Sequence, residues 1–174
     1  MSDVEYEEGA DVAIEPSLLD SLRQKHQRIV ESLEGGYFDL PGFDGDLVAK
    51  YRVLNVRGDI ASISNRVAKQ TKKELEQVLF AGLDLLARAC EEIFVIKDNK
   101  RVPFALALGP EEPPVRYDRR LAELLNLEPA DDSSRSVILA IWGQNEPMIM
   151  EHVQEVSRWM SDTTKKADET FLSS

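Results

Sequence analysis

From Pro16 the chain carries apolar residues at helical spacing: Leu18, Leu22, Ile29 and Leu33, with Leu19 and Val30 beside them. Steps of three and four residues gather these positions on one helical face. Pro16 suits the first turn of this helix, and Gly35-Gly36 suits its end. The pattern then changes period. Between residues 37 and 55, aromatic and β-branched residues flank a turn at Gly42-Phe43-Asp44-Gly45. Leu47, Ala49, Tyr51 and Val53 alternate with Val48, Lys50, Arg52 and Leu54, which predicts a β-hairpin. Gly58-Asp59 opens a helical stretch over residues 60–69, and the longest helix is predicted over 71–93. Its stripe is Leu75, Leu79, Leu83, Leu86, Cys90 and Ile93, widened by Val78, Leu85 and Ala89. So broad an apolar face predicts a central helix packed on two sides.

Past that helix, residues 94–97 and 101–104 around Asp98-Asn99-Lys100 predict a second small hairpin. Residues 105–114 hold Gly109-Pro110 and Pro113-Pro114 and read as a loop, followed by a short extended piece at 115–117. Asp118 is placed to cap a helix carrying Leu121, Leu124 and Leu125. The six-residue apolar run 137–142 reads equally as a buried strand or a buried helix. Asn145 then caps a last helix with Pro147 in its first turn and Ile149, Val153, Val156 and Met160 along one stripe. The sum is an α+β fold: a mainly helical domain with one or two β-hairpins and a flexible acidic N-terminal arm. The expected boundaries are a disordered acidic arm at 1–14, a single globular domain at 15–160 and a flexible C-terminal tail at 161–174.

Charge sharpens the reading of the arm. The formal net charge is −11, and Asp3, Glu5, Glu7, Glu8, Asp11, Glu15 and Asp20 all precede Arg23, the first basic residue. An acidic stretch without apolar period does not bury enough surface to order itself. The remainder is mildly acidic, which disfavours nucleic acid as a partner, since phosphate recognition wants cations clustered on one face. The absence of a basic segment followed by an apolar one speaks against a signal peptide. No apolar run approaches the length of a membrane span. The expected location is a reducing cytoplasm.

Candidate chemistry is sparse, and neither a catalytic residue, a metal nor a cofactor is expected. His26 and His152 each lack a second ligand at metal-binding spacing on their own helices, so they read as structural or surface histidines. Cys90, the one cysteine, falls on the core stripe of the long helix and reads as a small buried hydrophobe. The adjacent pairs Glu91-Glu92, Glu111-Glu112 and Asp131-Asp132 diverge from each other on regular structure and do not make an acid/base dyad. What stands out instead is the richness in Met and Trp near the C-terminal helix. Trp142, Met148, Met150 and Trp159 form the candidate partner-binding set, because thioethers and large aromatics suit adaptable contact surfaces.

The order of segments resembles a known family. Tyr51-Arg52-Val53-Leu54 closes the hairpin, and the long helix reaches Ala89-Cys90-Glu91-Glu92. After the Pro-rich loop come Val115-Arg116-Tyr117-Asp118-Arg119-Arg120-Leu121-Ala122-Glu123-Leu124-Leu125, then Val137-Ile138-Leu139-Ala140-Ile141-Trp142-Gly143, then His152 to Trp159-Met160. Over residues 37–160 this is similar to the tail assembly chaperones of long-tailed phages that infect actinobacteria. The resemblance implies a non-enzymatic protein of viral tail assembly that coats the tape-measure protein in the host cytoplasm while the tail tube forms around it. Tail tube subunits, a second copy of the chain and a longer frameshifted form are the further partners it implies, and the mature virion is not expected to contain it. A structural phage protein such as a head–tail connector or tail terminator is the alternative. A small acidic enzyme is the third reading.

Overall fold

The computed structural model describes residues 14–32 and 35–172. The chain divides into two compact units, residues 1–32 and 33–174. In the first, helix α1 spans Pro16–Ser32. Pro16 starts it as expected, and Arg23 pairs with Asp20 one turn away at 3.2 Å. Leu18, Leu19 and Leu22, placed on the predicted apolar stripe, are exposed. Residues 1–13, most of the expected acidic arm, lie outside the described residues.

Among its described residues the second unit combines a four-stranded antiparallel sheet in the order β1-β2-β3-β4 with five α-helices. Strands β1 (Gly36–Asp39) and β2 (Leu47–Tyr51) form the predicted hairpin. Its turn passes through left-handed backbone at Gly42, Asp44 and Gly45, where the two glycines carry no Cβ to resist positive φ. Strands β3 (Cys90–Lys97) and β4 (Lys100–Pro103) form the second hairpin. Asp98 and Asn99 adopt φ of 52° and 58° there, the left-handed pair that matches strand twist in a two-residue connection.

The predicted helix over 71–93 is shorter. Helix α3 spans Glu74–Ala89, and Cys90 begins β3. A β-bulge accounts for the difference. The β2–β3 register shifts between Lys50 and Tyr51, so Lys50 faces Glu92 and Tyr51 faces Cys90. The extra residue turns Cys90 and Ile93 inward three positions apart, a spacing that imitates a helical stripe. As expected, α3 is central: it packs against α2 (Ala61–Gln70), α5 (Ser134–Ile141) and α6 (Glu146–Leu172). Leu83, Leu86 and Ala89 are fully buried along it, and each buried leucine contributes about 1.5–3 kcal/mol. The N-terminal end of the stripe is not core, since Leu75 is 88% exposed and Val78 57%.

Asp118 caps α4 (Arg119–Leu124) by accepting from the Arg120 and Leu121 amides at 2.9 and 3.3 Å. The ambiguous run 137–142 resolves as helix through Ile141, because Ser133 caps α5 and Val137 and Ile138 fall on its buried face. Asn145 accepts from the Met148 amide at 3.2 Å at the start of α6, as its position predicts. That helix continues to Leu172, through residues expected to form a flexible tail. No Gly or Pro interrupts residues 161–172, and Thr164 Oγ1 donates to the Met160 carbonyl at 2.9 Å. Among the described residues no helix is long and apolar enough to cross a membrane.

Candidate partner-binding surface

The Met and Trp residues singled out in the sequence do not make a shared exposed face. Trp142 is buried, and its Nε1 donates to the Pro41 carbonyl at 2.7 Å, tying the end of α5 to the β1–β2 turn. Its place in the candidate set is therefore corrected: a buried indole with a satisfied N–H is structural. Met150 packs over Gly82 of α3, where an added Cβ would meet its sulfur at 3.1 Å. Met148 is half-buried against the core. Trp159 stands edge-on to Phe38 with ring centroids 5.5 Å apart and roofs Gly36, where a Cβ would come within 2.6 Å of the indole. Trp159→Ala is accordingly expected to cost stability, about 2 kcal/mol for a half-buried aromatic. A urea denaturation curve reads this directly.

Strand β2, the segment just before α4 and helix α6 bring Tyr51, Tyr117 and His152 together inside the core. The two phenols share a short hydrogen bond, and Tyr51 Oη lies 2.8 Å from His152 Nε2. Phe38 and Trp142 flank the imidazole. Tyr51, Tyr117 and His152 are each no more than 1% exposed, so no substrate reaches them. Burial holds His152 down to about 4 and raises both tyrosines well above their ordinary value. Among the described residues its Nδ1 finds no hydrogen-bond partner, and it stands 3.9 Å from the exposed Glu155 carboxylate. Cys90 is equally enclosed, and burial pushes its thiol to about 12, which keeps it protonated at neutral pH. Among the described residues no group of three His, Cys, Asp or Glu is placed to hold a metal ion.

An apolar groove lies elsewhere, between the segment after β2, α3 and the second half of α6. Leu54, Val56, Ile60, Leu85 and Met160 line it, and Ser157, Ser161, Thr164 and Lys165 form its polar margin, around about 440 Å³. Val56 is 73% exposed at its mouth, whereas Leu54 and Met160 are buried at its floor. The backbone under Val56 is fixed. Residues Val56–Ile60 form a π-helical turn in which Asn55 Oδ1 accepts from the Gly58 and Asp59 amides. Asp59 is buried and accepts from Arg52 Nη1 at 3.1 Å, Arg88 Nε at 2.7 Å and the Asn55 amide at 3.2 Å. The Arg52 guanidinium, aided by Arg88 and the Asn55 amide, holds the Asp59 carboxyl down to about 2. A β-branched side chain presented on so constrained a turn loses little freedom when it binds.

Comparison of the chain with family models, curated proteins and solved structures finds no match.

Proposed function

We propose that this chain is a tail assembly chaperone whose apolar groove seats an apolar helical stretch of the tape-measure protein. One observation carries the proposal: the groove of Leu54, Val56, Ile60, Leu85 and Met160, with Val56 held out to solvent on a fixed turn. An elongated helical protein waiting to be enclosed exposes apolar faces that aggregate unless covered. Helix-in-groove binding covers them by seating side chains at helical spacing. The net charge of −11 keeps such complexes apart from one another in solution. The family resemblance of residues 37–160 supplies the identity of the partner.

Co-expression with the tape-measure protein of the same phage tests this. The wild-type chain is expected to keep that partner soluble and to co-purify with it. Val56→Asp should lower the recovered partner about tenfold or more, since an unpaired carboxylate in an apolar contact costs well over 1.4 kcal/mol. Leu75→Asp, at an 88% exposed position outside the groove, should leave recovery unchanged. Equal recovery with Val56→Asp and wild type would place the contact elsewhere.

A further inference from the structure

A second concave surface in the same unit has the opposite character. One cleft, of about 490 Å³, lies across α2, α3 and α5 and is lined by Arg66, Arg88 and Arg135 around Asp84. A neighbouring cleft shares Arg66 and Gln70 with it and adds Arg57 and Lys69. The two together present five cations and one carboxylate in a chain whose net charge is −11.

The arginines are held from the protein side. Asp84 is buried and accepts from Arg135 Nε and Nη2, both at 2.7 Å, while Arg66 Nη2 lies 3.0 Å from it. Phe80 carries the Arg135 guanidinium over its ring at 4.5 Å. Asp59 takes the Nε of Arg88. Each of these pairs uses only part of a guanidinium, whose five donors form a planar fork suited to carboxylates. Ser133 and Ser134, at the N-terminus of α5, line the same cleft and add the positive end of a helix.

We propose that these joined clefts bind an extended acidic segment of a protein partner. Five cations spread over two adjoining clefts match a chain of carboxylates better than a single anion. Among the described residues no aromatic lines either cleft, so single-stranded nucleic acid would find no stacking platform there. The site is separate from the apolar groove and stands whether or not the tape measure binds there.

Anisotropy of a fluorescent ten-residue oligo-glutamate, titrated with the full chain at low salt, tests the proposal. Saturable binding is expected, weakened about tenfold by the double variant Arg66→Gln/Lys69→Gln through loss of two charge-assisted contacts. Both are exposed positions, and the one pair lost, Arg66–Asp84, is worth about 1 kcal/mol or less, so the thermal midpoint should fall by only a few degrees. Lys100→Gln, on the second hairpin, should bind as wild type does. Absence of binding, equal affinity of the double variant, or displacement by a ten-residue oligo-dT at lower concentration than by unlabelled oligo-glutamate would overturn the assignment.

Discussion

Asp84→Ala should lower the free energy of unfolding by about 3 kcal/mol or more. Asp84 is 5% exposed and joins three helices: it sits on α3, receives both forks of Arg135 from α5, and pairs with Arg66 from α2. Removing it leaves the Arg135 side chain, 21% exposed, without its bidentate partner. The cost comes mainly from that stranded charge and not from the lost attraction. Arg66→Gln makes the contrast, because the Arg66 side chain is 55% exposed and a pair with one end in water is worth about 1 kcal/mol or less. Denaturant titration of the two variants beside wild type should separate them clearly. Equal small losses would mean that the bidentate pair does not hold α5 to α3.

Acid should weaken the fold through His152. Burial holds its imidazole down to about 4 against an ordinary value of 6.5. The unfolded chain therefore takes up a proton near pH 6.5, while the folded chain does not do so until about pH 4. Stability is full above 6.5 and falls as pH drops through that window, by about 3 kcal/mol in all. The groups facing the ring are Tyr51 at Nε2, with Tyr117 behind it, and Glu155 at 3.9 Å from Nδ1. Both tyrosines stay neutral there, and Glu155 is 61% exposed, so neither offsets the desolvation. His152→Gln should flatten the stability profile between pH 6.5 and 4, measured as urea midpoints. An unchanged slope would assign the acid sensitivity to other groups.

Which parts of this architecture were legible in the sequence follows from how local their causes are. Turns and caps act over a few residues, so Asp98-Asn99, Asp118 and Asn145 announce their roles. The start of β3 was hidden because a bulge set by pairing with Lys50 and Tyr51 imposes a three-residue spacing on Cys90 and Ile93. The Tyr51–His152 bond joins residues 101 positions apart, and nothing near either predicts it. The groove is least visible of all. Leu54 and Ile60, Leu85, and Met160 come from three segments far apart in the sequence, and each residue by itself reads as an ordinary core position. Trp142 misled for the opposite reason: a large aromatic next to a Met-rich helix looks like a contact residue, but its indole N–H is satisfied inside the fold by Pro41.

Hydrogen exchange of the chain with and without bound tape-measure protein tests the central claim most directly. Seating a helix in the groove should slow exchange at residues 54–60 and 157–165, the two segments that form its walls, while the 98–99 turn exchanges as before. A stable complex that leaves both walls unprotected, or the absence of any complex, would contradict the account.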